Sequence, residues 1–291
     1  MMYRLLALNI DGTILNNQGR LTKETKEAID YVKDKGVYVT VVTNRHFLSA
    51  KKIAKTLRLH KNQLITHSGA FIASNVDKPV YERRISENKT FNLVQVLENF
   101  DCHTRILHEK FSLGNRVKIH NQVMAKAVLK SNEPLFYPIQ FVESLGETLR
   151  DNPVSAPKIE LYFQSQYEKE QAERTIASAF DIEWISYPNE PRAYIVEKGT
   201  SKEHGVYHVA TQLGISLEEV VAIGNCYDDL GLVESVGLGV AMGNAPDTVK
   251  KAAGWITRSN NENGVAYMVK ELFRKQHRIG YLEKIGSLDK H

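Results

Sequence analysis

One stretch at the start of the chain decides the fold. It reads Tyr3-Arg4-Leu5-Leu6-Ala7-Leu8-Asn9-Ile10-Asp11-Gly12-Thr13-Ile14-Leu15. The apolar run predicts a strand that is buried on both faces. The polar tip alternates, so Asn9 and Asp11 lie on the same side of the strand end, and Gly12 lets the backbone approach a ligand closely. We therefore expect a ligand site directly after this strand.

The same pattern continues outward from this stretch. Residues 21–35 carry apolar side chains at helical spacing, and Gly36 is the residue type that ends a helix in the left-handed conformation. The β-branched run 37–42 predicts a second buried strand, and residues 46–57 predict a second helix. This alternation indicates an α/β fold, in which a parallel sheet is flanked by helices.

The middle of the chain has a different pattern. Between residues 83 and 190, candidate strands are separated by helical stretches without a tight polar turn, which predicts an inserted α/β unit. The first pattern then returns as predicted strands at residues 194–196, 220–223 and 238–242. We therefore predict a discontinuous core of residues 1–82 and 191–291, interrupted by an inserted domain of residues 83–190. Residues 273–291 predict a terminal helix.

Composition argues against several classes of protein. The chain has 291 residues, of which 42% are hydrophobic and 25% charged, as in soluble globular proteins of one large or two smaller domains. Its net charge of +4 comes from scattered residues, which argues against nucleic acid or a membrane surface as partner. The apolar run before Asp11 is too short for a signal peptide or a membrane span, so we expect a cytoplasmic protein.

Three further polar points follow predicted elements of the core, where open α/β sheets bind ligands. Thr43 and Asn44 follow the second strand, and a hydroxyl with its neighbouring amides can hold a phosphate oxygen. Lys202 begins a predicted helix and supplies a fixed cation. The run Gly224-Asn225-Cys226-Tyr227-Asp228-Asp229 follows another strand and contains carboxylates, which suit Mg²⁺.

Each point also has a purely structural interpretation. An Asn-x-Asp pair before Gly-Thr is commonly a turn, and a residue such as Thr43 after a strand is commonly a helix cap. A single lysine is usually solvated, and paired aspartates at the start of a helix commonly interact with its dipole. Because all four points follow apolar strands in this order, a shared site is the better interpretation.

Together these points resemble the motifs of the haloacid dehalogenase (HAD) phosphatases, and in particular the Cof-type subfamily. That family begins with an apolar strand ending Asp-x-Asp-Gly-Thr, and its last motif is Gly-Asp-x-x-Asn-Asp. Residues 240–245 and 257–266 resemble the closing segments of the subfamily, so the resemblance runs from residue 3 to about residue 272. It implies a Rossmann-like core, an α/β cap that covers the site, one Mg²⁺, and hydrolysis of small phosphate esters through an aspartyl-phosphate.

The resemblance also implies roles for single residues. The catalytic positions are Asn9 in place of the nucleophile, Asp11 as general acid/base, and Lys202, which steadies the nucleophile and the phosphate charge. The implied phosphate-binding residues are Gly12, Thr43, Asn44, Lys202 and Asn244. The implied metal site consists of Asn9, Asp11, Asn225, Asp228 and Asp229.

Two departures from the family pattern fall on the chemistry itself. An amide oxygen at Asn9 is neutral, and its phosphorylated form would be a high-energy cation, so covalent catalysis should be crippled. Asn9 and Asn225 also remove two carboxylates that would neutralise Mg²⁺. Asp228 stands where the family has Asn, and it either reaches the metal or caps the following helix. Asp11 is a poor substitute nucleophile, because a shift of about 6 to 7 Å along the strand misplaces the in-line geometry.

Three functions remain open from the sequence. The first is a Mg²⁺-dependent phosphatase of low or altered activity, which the presence of Asp11, Thr43, Lys202 and Asp229 favours. The second is a catalytically silent protein that binds a small phosphorylated metabolite or senses it, which Asn9 and Asn225 favour. The third and least supported is a hydrolase in which Asp11 activates water without a covalent intermediate.

Overall fold

The structure is a computed structural model that describes residues 2–116, 137–188 and 190–279. Its strands, in chain order, are β1 (Leu5–Leu8), β2 (Tyr38–Val41), β3 (Leu64–Thr66), β4 (Phe71–Asn75), β5 (Lys78–Glu82), β6 (Cys102–Leu107), β7 (Ser112–Asn115), β8 (Ile139–Val142), β9 (Lys158–Phe163), β10 (Ile182–Ser186), β11 (Arg192–Glu197), β12 (Val220–Gly224), β13 (Leu238–Ala241) and β14 (Trp255–Ile256). Its α-helices are α1 (Lys23–Asp34), α2 (Phe47–Thr56), α3 (Glu87–Leu97), α4 (Leu145–Asp151), α5 (Gln166–Ala179), α6 (Lys202–Gln212), α7 (Leu230–Ser235), α8 (Asp247–Ala252) and α9 (Gly264–Phe273).

The core of the molecule is a five-stranded parallel sheet in the order β14-β13-β12-β1-β2. Alternate residues of β1 pack on opposite faces, as expected for a strand that is covered on both sides. Leu6 and Leu8 join a cluster with α1, α2 and α9, whereas Leu5 and Ala7 join one with α6 and α7. Gly36 follows α1 with a φ of +79°. The predicted α/β fold is therefore confirmed.

A second sheet has six strands in the order β10-β11-β9-β6-β7-β8, and α3, α4 and α5 pack on one face of it. Its pairs are antiparallel except for β7 and β8. The interpretation that strand 194–196 returns to the parallel core is wrong, because β11 pairs with β9 and β10 in this sheet. An apolar strand does not reveal in which sheet it is buried. The boundaries at residues 82/83 and 190/191 stay predictions.

A third, small sheet joins β3, β4 and β5 in antiparallel order. It adjoins the parallel sheet through a parallel bridge between Val42 and Ile65. The helix α9 ends at Phe273, and residues 274–279 are irregular. The rest of the predicted terminal helix, residues 280–291, lies outside the described residues. Within the described residues, every helix is too short or too polar to cross a membrane.

Candidate active site

The carboxyl ends of three neighbouring strands meet at one edge of the parallel sheet. Leu8, the last residue of β1, is in register with Val41 of β2 and Ile223 of β12. The segments that follow these strands therefore begin side by side. A cavity of about 670 Å³ lies between them and the six-stranded sheet. Predicted site residues that line this cavity are Asn9, Asp11, Gly12, Thr43, Asn44, Asn225 and Asn244.

Asn9 is buried and directs its amide nitrogen toward acidic and polar partners. Its Nδ2 donates to Asp229 Oδ2 at 3.0 Å and to Asn225 Oδ1 at 3.1 Å, and it also lies 3.4 Å from the sulfur of Cys226. The opposite end of the amide, Oδ1, accepts from the backbone N–H of Ile10 at 2.8 Å. An ionised carboxylate only accepts hydrogen bonds, so the end of Asn9 that faces Asp229 must be the nitrogen.

Asp229 and Lys202 form the buried centre of the site. Asp229 is fully buried, and its Oδ1 accepts from Lys202 Nζ at 2.6 Å. Its Oδ2 also accepts from the backbone N–H groups of Asn225 and Cys226, at 2.8 and 3.1 Å. Burial alone would lower the pKa of Lys202, but Asp228 and Asp229 raise it well above its ordinary value. Lys202 is therefore a fixed cation, shared between two carboxylates.

Asp228 contacts residues on both sides of the cavity, and the N-cap of α7 is Asp229 rather than Asp228. One carboxylate oxygen accepts from Lys202 at 2.8 Å and from Asn44 Nδ2 at 2.6 Å, and the other accepts from the Tyr187 hydroxyl at 2.8 Å. Burial raises the pKa of Asp228, but Lys202 outweighs it and holds the pKa below its usual range. Asp228 thus joins the core to Tyr187, which follows β10 of the six-stranded sheet.

Asp11 is half exposed and pairs with an arginine that the sequence analysis did not single out. Arg45 Nε donates to Asp11 Oδ2 at 2.7 Å, and Nη2 donates to Oδ1 at 2.6 Å. The guanidinium is almost fully buried, which holds this two-point contact in place. In the sequence, Arg45 is distinguished only as a charged residue soon after the apolar run 37–42.

The remaining predicted phosphate-binding residues shape the floor of the cavity. The Thr43 hydroxyl accepts from the backbone N–H of Arg45 at 3.2 Å, so it caps a local turn, while the N-cap of α2 is His46. Asn244 Nδ2 donates to the carbonyl of Gly12 at 2.9 Å. Gly12 has a φ of +66°, and a β-carbon there would lie 2.4 Å from Asn225 Nδ2. A larger residue at position 12 would therefore strain the backbone and would displace the Asn225 side chain.

The six-stranded sheet supplies the opposite wall of the cavity. Glu160 and Tyr162 of β9 point to the same face, and Arg105 of β6 pairs with Glu160 across the strands. Lys158 is also on this face, where its Nζ lies 3.2 Å from Glu160 and donates to the Asn44 carbonyl at 2.7 Å. Burial raises the pKa of Glu160, but Arg105 and Lys158 outweigh it and lower the pKa to about 2.

The sequence contains a pattern that predicts this wall. Lys158, Glu160 and Tyr162 alternate with apolar residues in a buried strand, which is the pattern of a strand with one polar face. Arg192 and Tyr194 show the same alternation in β11, and they line the same cavity. Period-two polarity inside an otherwise apolar strand could therefore have identified the wall.

The metal site that the family resemblance implies does not fit these side chains as they are arranged. The oxygens of Asn225, Asp228 and Asp229 already accept hydrogen bonds or ion pairs from other side chains. Asn9 presents a nitrogen, which cannot bind a cation, toward Asp229. Cys226, Asp228 and Asp229 do have ligand atoms within 4.8 Å of one another, but burial and the two aspartates raise the pKa of the thiol well above its ordinary value.

Comparison with known proteins gives the family. A family model described as haloacid dehalogenase-like hydrolase matches residues 6–269. YhaX, a stress response protein of Bacillus subtilis strain 168, is 54% identical over 98% of this chain and 98% of its own. YcsE, a 5-amino-6-(5-phospho-D-ribitylamino)uracil phosphatase of the same strain, is 28% identical over 92% of this chain and 94% of its own.

The fold has solved counterparts as well. A haloacid dehalogenase-like hydrolase from B. subtilis superposes with a TM-score of 0.80 at 24% identity, and the match covers 92% of this chain and 99% of that one. At that identity the likeness shows the shared fold. Sequence and structure agree, and this chain belongs to the haloacid dehalogenase-like hydrolases, within the Cof-type phosphatase subfamily that carries a large α/β cap.

Proposed function

We propose that this protein binds a small phosphorylated metabolite in the cavity and does not transfer the phosphoryl group to its own side chain. The observation that carries the proposal is the orientation of Asn9. Its nitrogen donates to Asp229, and its oxygen accepts from the backbone N–H of Ile10. A neutral amide whose oxygen is already engaged cannot replace the attacking carboxylate of the family. The cytoplasmic location expected from the sequence is part of this proposal.

The cavity supports binding of a small anionic ester. Its volume of about 670 Å³ lies within the range of small-molecule sites, about 300–1,000 Å³. Arg45, Arg105 and Arg192 line it together with several asparagines and tyrosines. Guanidinium, amide and phenol groups all donate hydrogen bonds to phosphate or hydroxyl oxygens. The name of the relative YcsE includes a phosphorylated substrate, which supports the same ligand class here.

A Mg²⁺-dependent phosphatase of low or altered activity is the second candidate. Asp11, Lys202 and Asp229 keep the residue types of the family, and several relatives are named phosphatases. The water-attack mechanism is less well supported, because both carboxylate oxygens of Asp11 accept from Arg45, which leaves fewer acceptor positions to orient a water molecule. Catalysis by either route requires measurable turnover by the natural protein.

The deciding experiment compares hydrolysis of a panel of phosphate esters by the natural protein and by Asn9→Asp, with and without Mg²⁺. We expect turnover by the natural protein at the buffer background. We expect the variant, alone or with Asn225→Asp, to exceed it by about 10³-fold or more, since loss of a catalytic nucleophile can cost about 10⁶-fold. Asn75→Asp adds the same charge at the exposed end of β4, outside the cavity, and should stay at background.

Binding is measured separately, as the rise in melting temperature of the natural protein with each ester. A saturable rise with at least one ester, without release of phosphate, is the expected result. Hydrolysis by the natural protein at the rates common among enzymes, about 1 s⁻¹ or faster, would show that the argument from the amide is wrong. If no phosphate ester raises the melting temperature, the binding proposal fails as well.

A further inference from the structure

The group at the centre of the site that most needs a cation is Asp229. It is fully buried, and a buried carboxylate is costly unless it is paired and hydrogen-bonded. Its Oδ1 receives the ammonium of Lys202 at 2.6 Å. Its Oδ2 receives two backbone N–H groups, the thiol of Cys226 at 3.0 Å and the amide of Asn9 at 3.0 Å. Four donors therefore surround Oδ2, and Oδ1 is paired with the Lys202 ammonium, so both oxygens already have the partners that a metal ion would replace.

The side-chain oxygens of Asn225 and Asp228 also accept hydrogen bonds or ion pairs from neighbouring groups. Asn225 Oδ1 accepts from Asn9 Nδ2 at 3.1 Å and from the Thr13 hydroxyl at 2.8 Å, which uses both of its lone pairs. Both oxygens of Asp228 accept from Lys202, Asn44 or Tyr187. Among the described residues, no side chain near Asn9 offers an anionic oxygen that is not already paired.

An aspartate at position 9 would reverse this arrangement. Its oxygen would take the place of Asn9 Nδ2, 3.0 Å from Asp229 Oδ2 and 3.1 Å from Asn225 Oδ1. Two carboxylates at that separation repel each other unless a cation lies between them. The nitrogen of Asn9 removes the repulsion, because it donates hydrogen where a second carboxylate would need a shared ion.

We propose that this site is built without a divalent cation: the Asn9 amide and the Lys202 ammonium hold Asp229 and the loop Asn225–Asp228 in the place of a metal. The asparagine at position 9 is matched by Asn225, which likewise stands where the family pattern has a carboxylate and which accepts a hydrogen bond from Asn9. The inference rests on the proposed function, since it states how the phosphate site is assembled. It concerns the folded protein itself and does not depend on the ligand.

The test measures the melting temperature of the full-length protein after treatment with EDTA and again with millimolar MgCl₂. We expect the natural protein to change by less than about 1 °C between the two conditions, because an ion that does not bind gives no stabilisation. Asn9→Asp/Asn225→Asp should melt several degrees lower in EDTA and recover in MgCl₂. Titration calorimetry should detect saturable Mg²⁺ binding by this variant alone. Asn75→Asp, with one added surface carboxylate, should behave as the natural protein.

Saturable Mg²⁺ binding by the natural protein, or a double variant that does not respond to Mg²⁺, would overturn the inference. Should the double variant fail to fold, Asn225→Asp replaces it, since a carboxylate there still accepts from Asn9 and Thr13. The Asn225→Asp variant should bind Mg²⁺ more tightly than the natural protein. Equal Mg²⁺ affinity of the two proteins would contradict the inference. Mg²⁺ binding without turnover refutes this inference alone, whereas hydrolysis in EDTA refutes the proposed function alone.

Discussion

At the scale of single residues, the site depends on which atom faces Asp229. Asn and Asp have nearly the same shape, but one presents a donor and the other an acceptor at the same point. Because Asn9 donates at 3.0 Å, Asp229 is satisfied by Asn9 and Lys202 together with the backbone. The same substitution therefore removes the nucleophile and stabilises the pocket.

Lys202 provides the most direct test of this electrostatic arrangement. Lys202→Met should lower the free energy of unfolding by about 3–5 kcal/mol, since it leaves Asp228 and Asp229 buried without their cation. Urea denaturation at pH 7 measures the loss. Lys198→Met, whose ammonium is half exposed, should cost less than about 1 kcal/mol. A loss below about 1 kcal/mol at Lys202 would mean that the two carboxylates are not held by this ammonium.

Residue types alone predicted which side chains meet, but not what each one contacts. Asn9, Thr43 and Asn225 were expected together because parallel strands end at one edge of a sheet. Lys202 was expected there for the same reason, but the strand that precedes it, β11, lies in the other sheet. The partners of Asp228 were not predicted. One of them, Tyr187, follows a strand of the other sheet, and sequence spacing carries no information about how two sheets face each other.

At the scale of elements, the turn Ile10–Ile14 after β1 can be tested through two glycines. Gly12 and Gly19 have similar φ values, +66° and +69°, but a β-carbon would meet Asn225 only at Gly12. Gly19→Ala should cost about 1–2 kcal/mol from the left-handed backbone alone. Gly12→Ala should cost a further 1–3 kcal/mol, roughly the cost of overpacking. Thermal unfolding of both variants measures the difference. Equal losses in the free energy of unfolding would show that the Asn225 side chain moves aside without cost.

The start of α2 should make stability depend on pH. His46 is buried, its Nδ1 accepts from the Leu48 N–H at 3.1 Å, and its Nε2 lies 2.5 Å from the His108 carbonyl. This geometry suits the neutral ring, and burial lowers the pKa of His46 from 6.5 to about 4, against smaller opposing effects of the backbone hydrogen bonds with His108 and Phe111. The unfolded chain therefore binds the proton more readily. The contribution of His46 is complete above pH 6.5 and is lost as the pH falls toward 4.

His46→Asn keeps a side chain that can cap the helix and removes the titration. We expect the natural protein to lose up to roughly 3 kcal/mol between pH 6.5 and 4 through this ring, and the variant to show a smaller loss over the same interval. The pH dependence of the free energy of unfolding that remains in the variant should come from groups such as His67, whose pKa is also lowered by burial. Urea titrations at several pH values measure both slopes, with His60→Asn on the surface as control. Identical slopes in the natural and His46→Asn proteins would exclude His46 as the source.

At the scale of the whole molecule, two sheets are joined over one cavity by a few polar contacts. Tyr187 donates to Asp228, the Lys158 ammonium donates to the Asn44 carbonyl at 2.7 Å, and His46 lies beside the His108 carbonyl. Sequence analysis predicted the α/β layers, because hydrophobic periodicity determines which face of an element is buried. It did not predict these contacts, or that β11 belongs to the second sheet, because both depend on packing between distant segments.

Tyr187 is the contact through which opening of this interface can be measured. Tyr187→Phe removes one hydroxyl that donates to Asp228 at 2.8 Å and accepts from Asn44 at 2.9 Å, while Lys202 and Asn44 still neutralise and hold the carboxylate. Burial and Asp228 raise the pKa of Tyr187 well above its ordinary value, so the donor is present at all physiological pH values. A hydrogen bond to a charged group contributes about 1.5–3 kcal/mol, which corresponds to faster local opening by about tenfold or more.

Hydrogen exchange of the loop Asn225–Asp229 and of β10 should therefore be about tenfold faster in Tyr187→Phe than in the natural protein. Exchange in the middle of the parallel sheet should be unchanged, because the variant leaves its packing intact. Tyr207→Phe removes a hydroxyl from a side chain that is 55% exposed and should alter neither region. Unchanged exchange in the loop of Tyr187→Phe would mean that Lys158 and His46 hold the two sheets together without it. Faster exchange in the parallel sheet would mean that the hydroxyl stabilises the whole fold rather than this interface.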